Sequence, residues 1–351
     1  MAYTNIDDPS AYFQTALYAG NGSTQSITND GNSDLQPDLL WIKSRSDSSF
    51  NALTDSTRGT SKRIYSNSTA AEESHADRVT AFNSDGFSLG GSSLVNTNNY
   101  NYAAWQWKAN GGSVTTVGES GSNPGFTRQT NTDAGFSIIA YTGTGSNGTI
   151  AHGLPSTPEM IIFKRRNADQ VWATWHQGIG DDYKLVLNST DAKDADGAFM
   201  NSTLPTSSNI TVGGASVNTN ADGGTYICYA FSPIQGYSKF GSYVGNGNSN
   251  GAFAYTGFKP AFVMIKRTDS TGGWTIYDTK RGYNGNNYEL FPHSAEAEYT
   301  GTSYFEADIL SNGFKLRLTD GQINAAGGTY IYMAFAENPF TTSTGIPTTA
   351  R

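Results

Sequence analysis

The stretch Pro260-Ala-Phe-Val-Met-Ile-Lys-Arg267 consists of a proline, a short apolar run and a basic pair. Similar stretches occur earlier, as Pro37-Asp-Leu-Leu-Trp-Ile-Lys43 and Pro158-Glu-Met-Ile-Ile-Phe-Lys164. Proline cannot donate a hydrogen bond to a β-ladder, so it suits the entry of a strand. An apolar run of about five residues that does not alternate with polar ones is typical of a strand covered on both faces. The stretch therefore predicts a core strand that occurs three times.

Three further markers accompany each copy of this strand in the same order and at nearly constant spacing. They are an opening glycine, a late asparagine and a closing tyrosine, namely Gly20, Asn96 and Tyr102, then Gly143, Asn218 and Tyr226, then Gly245, Asn324 and Tyr330. A period of about 100 residues has the size of one sandwich domain and is too long for a solenoid turn. We therefore predict an all-β protein of three tandem β-sandwich-like repeats with a short N-terminal arm.

The predicted boundaries follow from these markers and from local composition. They are 1–14 for an N-terminal docking arm, 15–110 for the first β repeat, 111–131 for a linker, 132–235 for the second β repeat, 236–340 for the third, and 341–351 for a flexible tail. The linker is rich in Gly, Ser, Thr and Asn and has few apolar residues, as flexible connections do. Turns at Gly86 and Gly313 predict hairpins that need glycine at positive φ, and the second repeat lacks this signal.

The overall composition narrows the class of protein. The chain has 351 residues, of which 40 are Gly and only 15% are charged, whereas its 18 Phe, 20 Tyr and 6 Trp can form a large core. A net charge of −8 without a basic run argues against nucleic acid and anionic membranes as partners. A single cysteine, Cys228, excludes an intrachain disulfide framework. No signal peptide or membrane-spanning run is present, so we expect synthesis in a cytoplasm without membrane insertion.

A search for catalytic patterns predicts no catalytic residue, no metal ligand set and no cofactor. No two of the four histidines lie within four residues of each other, and neither a phosphate-binding loop nor a Gly-x-Ser-x-Gly elbow occurs. The pattern Asp191, Asp194 and Asp196 lacks the terminal glutamate of a calcium loop and indicates a solvated loop. A glycosidase needs only two suitably separated carboxylates. Because the chain has 30 acidic residues, a polysaccharide hydrolase stays open as the enzymatic alternative.

One charged pair recurs at the same spacing in two repeats. Asp55 precedes Arg58 as Asp278 precedes Arg281, whereas the second repeat has His176 in the place of the aspartate. The pair is either a ligand-binding site or an ion pair that locks a turn. The locking role is favoured, since no function shared by all three repeats can depend on the pair.

Aromatic residues are the candidate binding residues. Trp172 and Trp274 follow their strand prolines at the same distance, where the first repeat has Asn51, and such a variable position is typical of a surface or an edge. Tryptophan and tyrosine rings stack on the apolar faces of sugars, although the same rings fill cores and core packing is favoured here. The binding candidates are Trp172, Trp175, Trp274, Tyr283 and Tyr288.

Several phrases resemble an uncharacterised repeat family of tailed phages of marine bacteria, including cyanophages and phages of marine alphaproteobacteria. They are Ala-Tyr-Thr-Asn-Ile-Asp-Asp-Pro-Ser-Ala-Tyr-Phe-Gln at 2–14, the Pro260 strand, Ser-Asn-Gly-Phe-Lys-Leu-Arg at 311–317, and Gly-Gly-Thr-Tyr-Ile-Tyr-Met-Ala-Phe-Ala-Glu-Asn-Pro-Phe at 327–340. The resemblance covers residues 2–340 and implies a virion protein, often labelled tail fibre. It supplies no catalytic residue.

Together these observations predict a non-enzymatic adhesive or structural protein on a virion surface, made in the host cytoplasm. The expected role is a tail fibre or receptor-binding component, with a capsid decoration protein and a tailspike-type depolymerase as alternatives. Expected partners are other virion proteins of the tail or capsid, a host surface glycan, and further copies of the chain in a homotrimer. The arm residues Tyr3, Ile6, Tyr12 and Phe13 are predicted to dock the protein, because an apolar arm outside the repeats has no core of its own.

Overall fold

The computed structural model describes residues 3–285, 288–300 and 307–348. Strands make up 41% of the chain and helix 3%, so the predicted all-β fold class is confirmed. The helical elements within the described ranges are α1, Ser93–Asn96, and two 3₁₀ turns, Pro9–Ala11 and Gln177–Ile179.

Within the described residues, 26 strands form several antiparallel sheets. The first part of the chain contains β1 Phe13–Ala19, β2 Gln25–Ile27, β3 Leu39–Ser44, β4 Ala52–Asp55, β5 Lys62–Tyr65, β6 Glu73–Ser74, β7 Val79–Phe82, β8 Phe87–Leu89 and β9 Asn101–Trp107. The middle part contains β10 Thr115–Val117, β11 Phe126–Asn131, β12 Phe136–Thr142, β13 Gly148–Ala151, β14 Met160–Arg165, β15 Trp172–His176, β16 Tyr183–Val186, β17 Asp194–Ala195, β18 Asn209–Val212 and β19 Thr225–Phe231. The last part contains β20 Ser238–Val244, β21 Phe253–Tyr255, β22 Phe258–Arg267, β23 Trp274–Asp278, β24 Ala307–Leu310, β25 Gly313–Leu316 and β26 Thr329–Pro339.

Three large sheets share one strand order. The first sheet is β1-β9-β3-β4-β5-β6, the second is β10-β11-β12-β19-β14-β15-β16-β17, and the third is β20-β26-β22-β23. In each sheet, one strand (β1, β12 or β20) pairs with the closing strand, which carries the closing tyrosine (β9, β19 or β26). The closing strand pairs in turn with the proline-preceded strand (β3, β14 or β22). Three smaller sheets, β2-β8-β7, β13-β18 and β21-β25-β24, accompany them. The middle one has two strands rather than three, where the sequence lacks the Gly-Phe hairpin.

The three large sheets share a central core instead of enclosing three separate ones. One hydrophobic cluster contains Trp105 from the first sheet, Phe231 from the second and Phe262 and Phe335 from the third. Phe335 contacts Phe231 at a ring-centroid distance of 6.0 Å, and Phe262 contacts Trp105 at the same distance. The opposite faces of the first and third sheets pack in separate clusters against the smaller sheets. The folding unit thus includes all three sheets at once.

The predicted linker and tail are both part of the fold. Residues 111–131 contain β10 and β11, and β11 extends the second sheet by pairing with β12. The linker prediction is wrong because strands near the rim of a sheet need few apolar residues, and here Pro124 and Phe126 are the buried ones. In the tail, Ser343 donates its backbone N–H to the Asp7 carboxylate at 2.6 Å. Residues 349–351 of the predicted tail lie outside the described part of the chain.

The two hairpin glycines differ from each other. Gly86 has φ of +92°, as predicted. Gly313 does not have positive φ, so that prediction is wrong, but a Cβ atom there would lie 2.1 Å from the carbonyl oxygen of Ala254. Close approach of two backbones, not positive φ, therefore requires glycine at this position.

The lysines that end the proline-preceded strands are buried instead of returning to water. Lys43, Lys164 and Lys266 donate from Nζ to backbone carbonyl oxygens. Lys164 donates to the carbonyl of Thr69, between β5 and β6 of the first sheet, at 2.7 Å. Lys266 donates to the carbonyl of Thr190, between β16 and β17 of the second sheet, at 3.2 Å. Burial lowers the pKa of each lysine to about 8. The contacts of Lys164 and Lys266 join consecutive sheets, whereas Lys43 bonds to Ser44 and Asp47 of its own unit.

The late asparagine of the second unit is Asn220, not Asn218. The buried side chains of Asn96, Asn220 and Asn324 each accept a backbone N–H from the opening turn, at 2.9, 3.0 and 3.0 Å. Asn218 does not make this contact, and its Oδ1 is buried without a partner. The marker is therefore an amide that holds the opening turn in place.

Candidate functional site

Consecutive sheets meet at three seams, which we number by their order. The first seam joins the first and second sheets, the second joins the second and third, and the third joins the third and first. Contacts cross each of them, so the three sheets form a closed ring. At the first seam Arg166 pairs with Glu72 at 2.9 Å, and at the third Arg45 pairs with Glu298 at 2.8 Å.

The recurring Asp/Arg pair locks two seams from inside the protein. Asp55 pairs with Arg58 at 2.5 Å, both side chains are fully buried, and the Tyr229 hydroxyl of the second sheet donates to Asp55 at 2.8 Å. Asp278 pairs with Arg281 in the same way and accepts the indole N–H of Trp105 from the first sheet at 3.0 Å. Such buried groups are not accessible to a ligand, which favours the locking role.

His176 takes the place of the aspartate at the second seam. Its Nε2 lies 3.3 Å from the carbonyl oxygen of Tyr332 in the third sheet, and its Nδ1 accepts the backbone N–H of Gly178 at 3.0 Å. Because an N–H group is needed opposite a carbonyl, the imidazole is a donor at Nε2. Burial lowers the pKa of His176 to about 4, so the ring is neutral at pH 7.

The three candidate tryptophans are core residues, as the favoured interpretation expects, so they are not available as sugar-stacking platforms. Trp172, Trp175 and Trp274 are buried. The indole N–H of Trp172 donates to the carbonyl of Tyr65 across the first seam at 2.7 Å, and that of Trp274 donates to Val186 across the second at 3.0 Å. The variable position is therefore an internal one.

Asn51 of the first sheet explains why the position varies. It is also buried, and its amide donates to the carbonyl oxygens of Phe291 and Ser294 across the third seam, at 3.2 and 2.8 Å. Tryptophan and asparagine both supply the N–H donor that this position needs. The variation thus preserves a hydrogen bond and does not indicate exposure.

The predicted docking arm is folded onto the protein itself, so the prediction that it is free to dock is wrong. Ile6 and Phe13 are buried, and Phe13 is the first residue of β1. The Phe13 ring stacks on Phe335 of the third sheet with centroids 5.2 Å apart. Tyr12 contacts Tyr237 at 5.9 Å, and Tyr3 donates its hydroxyl hydrogen to the carbonyl of Gly257. The shared core supplies the packing partners that a separate arm would lack.

The seams differ in what lies between the sheets, and the first seam is filled by the chain itself. The buried Asp38 carboxylate accepts the backbone N–H groups of Ala109 and Gly112, at 2.7 and 3.0 Å. The amide of Gln129, on β11, donates to the hydroxyls of Ser56 and Thr57 at 2.9 and 2.7 Å. Residues 109–131 therefore occupy this seam.

The third seam is an open cleft of about 400 Å³. Its lining is rich in hydroxyl and amide side chains, namely Ser10, Gln14, Thr15, Asn32, Thr279 and Asn338. The Tyr283 ring on the cleft is 39% exposed, and Lys259 Nζ lies 5.1 Å from the ring centroid. Lys259 is itself paired with Glu337 at 2.7 Å. Of the five binding candidates, Tyr283 is the exposed one, whereas Tyr288 is partly buried.

The second seam is a larger open cleft of about 650 Å³ that runs along β20. Tyr255 is 50% exposed on its wall, with Lys239 Nζ 5.2 Å from the ring centroid. Glu159 also lines the cleft, and burial raises the pKa of its carboxyl group. The sequence predictions did not include Tyr255 or Lys239. The signal that points to them is the short connection between the second and third units, which leaves no segment to fill this seam.

Across the described ranges, no three His, Cys, Asp or Glu side chains are grouped so that they can hold a metal ion. Cys228 is buried, and burial raises the pKa of its thiol, which disfavours a reactive thiolate. No helix in the described part of the chain is long and apolar enough to cross a membrane.

The chain belongs to the family described as "Domain of unknown function (DUF7483)", whose model matches residues 8–339. The match spans all three sheets and begins within the predicted arm, as expected of one folding unit with a shared core. Searches of the curated proteins and of the solved structures found no match.

Proposed function

We propose that this protein is a non-enzymatic adhesive and structural component of a phage virion surface, acting as a tail fibre or receptor-binding protein. Two kinds of observation support this. The phrases at 2–14, 311–317 and 327–340 resemble those of phage virion proteins. The observation that carries the proposal is the third-seam cleft, in which an exposed tyrosine ring stands beside hydroxyl and amide groups, and in which the charged Lys280 and Glu337 are paired with Asp30 and Lys259.

The third-seam cleft has the chemistry that a neutral sugar requires. The exposed part of the Tyr283 ring can stack on the apolar face of a pyranose. Thr279 and Asn338 offer hydroxyl and amide groups that can bond to sugar hydroxyls. The positive charge of Lys259 is partly neutralised by Glu337, so the cleft does not depend on an acidic ligand. A host surface glycan is therefore the proposed ligand.

The direct test compares two tyrosine variants on binding to host cells and to purified host polysaccharide. Tyr283→Ala is expected to weaken binding about tenfold or more, because loss of a stacking ring removes about 1–2 kcal/mol. Tyr255→Ala is the matched control, since Tyr255 is also exposed with a lysine above its ring but lies in the other cleft. Equal binding by wild type and Tyr283→Ala would refute this cleft as the glycan site.

Virion location is tested separately by gold-labelled antibodies and by counting copies per particle. The proposal expects labelled tails and a few tens of copies or fewer. Labelled capsids with hundreds of copies would instead establish the alternative, a decoration protein. Absence from purified particles would refute both.

The enzymatic alternative and the oligomeric state each have a simple measurement. The length of host polysaccharide should stay unchanged after incubation with the protein, whereas shortening would establish a depolymerase. Native mass spectrometry measures the proposed homotrimer. A monomer would contradict that part of the proposal. In that case the closed ring of three sheets within one chain would be the threefold arrangement of the protein.

A further inference from the structure

Strands β1, β12 and β20 hold equivalent places in the three large sheets, but they differ in what lies on the side away from the closing strand. Strands β1, β12 and β20 each pair on one side with a closing strand. Within the residues that the structure describes, β12 is the one of these three with a strand on its other side, namely β11. The registers with the closing strands make Ala140 of β12 equivalent to Ser242 of β20 and to Leu17 of β1.

In the second sheet, one segment of the chain covers both the edge of β12 and the adjacent β13. Thr127 pairs directly with Ala140. Asn123 accepts the backbone N–H of Thr149 at 2.8 Å, and Arg128 donates to the carbonyl of Ala151 at 2.5 Å. An extended segment, residues 123–129, thus occupies this edge.

The same place on the third sheet is open. Phe253 and Tyr255, which correspond to Thr149 and Ala151 of β13, are 44% and 50% exposed, and Val244 at the end of β20 is 59% exposed. Three large apolar side chains therefore surround an uncovered edge. Exposed apolar groups clustered in this way are typical of an interaction site.

The backbone of β20 is oriented to accept a strand. Gln177 donates its side-chain amide to the Phe240 carbonyl at 2.5 Å from outside the sheet, so Phe240 and the alternate residues Ser242 and Val244 point away from β26. Phe240 corresponds to Ile138, which pairs with Gln129 of β11. The side chain of Gln177 thus takes one hydrogen-bonding position of a strand, and the positions at Ser242 and Val244 stay available.

We propose that β20 accepts an extended segment of another polypeptide chain as an added antiparallel strand. The segment would lie where residues 123–129 lie on the second sheet, with backbone hydrogen bonds to Ser242 and Val244. Strand addition of this kind obtains affinity from the main chain and specificity from alternate side chains. The expected partner has an aromatic residue that covers Phe253 and Tyr255, in the role that Phe126 has in β11. It has no proline at the positions that pair with β20. This site is separate from the glycan cleft and goes beyond the proposed function.

The chain supplies its own probe, a labelled peptide of residues 125–131, Gly-Phe-Thr-Arg-Gln-Thr-Asn. Its binding to the full-length protein is measured by fluorescence anisotropy, and a peptide with Thr127→Pro, which lacks the pairing N–H, is the control. We expect saturable binding of one peptide per chain and at least a tenfold weaker affinity for the proline peptide. Failure of the wild-type peptide to bind at millimolar concentration would overturn the proposal.

The location of the site is tested by two matched proline variants. Ser242→Pro removes an outward N–H from β20 and is expected to weaken peptide binding at least tenfold, because an edge strand tolerates proline but then loses a donor. Leu17→Pro, at the same register position of β1, is expected to leave binding unchanged. Equal loss in both variants, or no loss in Ser242→Pro, would overturn the assignment to β20.

A second pair of substitutions keeps the test decisive if Ser242→Pro fails to fold by circular dichroism. Phe253→Asp and Tyr255→Asp change exposed side chains beside the edge and leave the backbone intact. Each is expected to weaken peptide binding about fivefold or more. Unchanged affinity in both would overturn the proposal.

Discussion

The first and second seams have the same framework and different contents. At the first, residues 109–131 fill the space and add β11 to the edge of β12. At the second, the connection from β19 to β20 is short, and the Gln177 side chain provides one hydrogen bond where the other seam has a strand. The result is a cleft of about 650 Å³ beside an uncovered strand. The comparison shows that the shared sheet order sets the ring, whereas the connecting segments decide which seams are filled and which are open clefts.

The internal packing of the ring is equally conserved between the units. Tyr18, Tyr141 and Tyr243 stack on the closing tyrosines with centroid distances of 5.0 to 5.1 Å. Each closing tyrosine, Tyr102, Tyr226 or Tyr330, accepts a backbone N–H from the preceding loop. These pairs explain why the tyrosine markers recur.

The largest effect is expected from Phe13→Ala, which tests whether the N-terminal residues belong to the ring. Phe13 is buried against Trp107, Phe262 and Phe335, so truncation should cost about 3–5 kcal/mol of unfolding free energy. Urea unfolding measures this loss. Tyr12→Ala, which removes a partly buried ring, is the control and should cost clearly less.

A melting temperature unchanged by Phe13→Ala would contradict the closed ring. It would also revive the predicted role of residues 1–14 as a free docking arm. The structure instead predicts that deletion of residues 2–14 destabilises the whole protein, because Ile6 and Phe13 lie in the shared core.

The next effect concerns acid and the second seam, where a histidine replaces the aspartate of the other two. Burial lowers the pKa of His176 to about 4 from 6.5, so the unfolded chain binds its proton first as the pH falls. The stability due to neutral His176 is therefore fully present above pH 6.5 and is lost between pH 6.5 and 4. His176→Asn should remove about 2 kcal/mol of the stability difference between pH 7 and pH 4.5.

Urea unfolding of wild type and His176→Asn at both pH values checks this prediction. Glu289, whose pKa burial raises to about 7, acts in the opposite direction, and His293, whose pKa is about 4, acts in the same direction. Glu289 and His293 are present in wild type and in His176→Asn alike, so the difference in pH dependence between the two proteins is due to His176. The same pH dependence in both proteins would show that this histidine does not titrate as its burial requires.

A smaller effect compares the two glutamines that lie at the filled and open seams. Gln129→Ala should destabilise the protein by about 1.5 kcal/mol, because the hydroxyls of Ser56 and Thr57 lose the buried amide that donates to them and the Gly112 N–H keeps only its bond to Asp38. Gln177→Ala should cost about 0.5 kcal/mol, since the Phe240 carbonyl that it leaves lines an open cleft where water can bind. A larger loss from Gln177→Ala would mean that the second seam is the more tightly closed one.

The sequence predicts those parts of the fold that depend on repeated local patterns. The proline-preceded strands, the closing tyrosines and the glycine-rich turns each follow from residue type and position, and β3, β14 and β22 occur where the patterns place them. Even there one detail differs. Pro37 and Pro158 precede their strands, whereas Pro260 lies inside β22 at a register shift, where a missing N–H is tolerated.

The open clefts could not be predicted in the same way, because the exposure of a side chain depends on neighbours that are distant in the chain. Trp172 and Tyr283 are both large aromatic residues, yet one is buried across a seam and the other is exposed on a cleft. The fate of 111–131 was equally hidden, since its polar residues suit both a flexible linker and a rim strand. Whether the edge of a strand such as β20 is covered depends on a distant segment of the chain, so it cannot be predicted from the residues of the strand itself.

The most direct test of this account is amide hydrogen exchange at the outward positions of the two equivalent edges. If the first seam is filled and the second open, the amides of Ile138 and Ala140 should exchange slowly, whereas those of Ser242 and Val244 should exchange at rates close to those of an unstructured chain. The inward amides of Gly241 and Tyr243 should stay protected, which shows that β20 is folded. Equal protection of the two outward pairs would contradict the account.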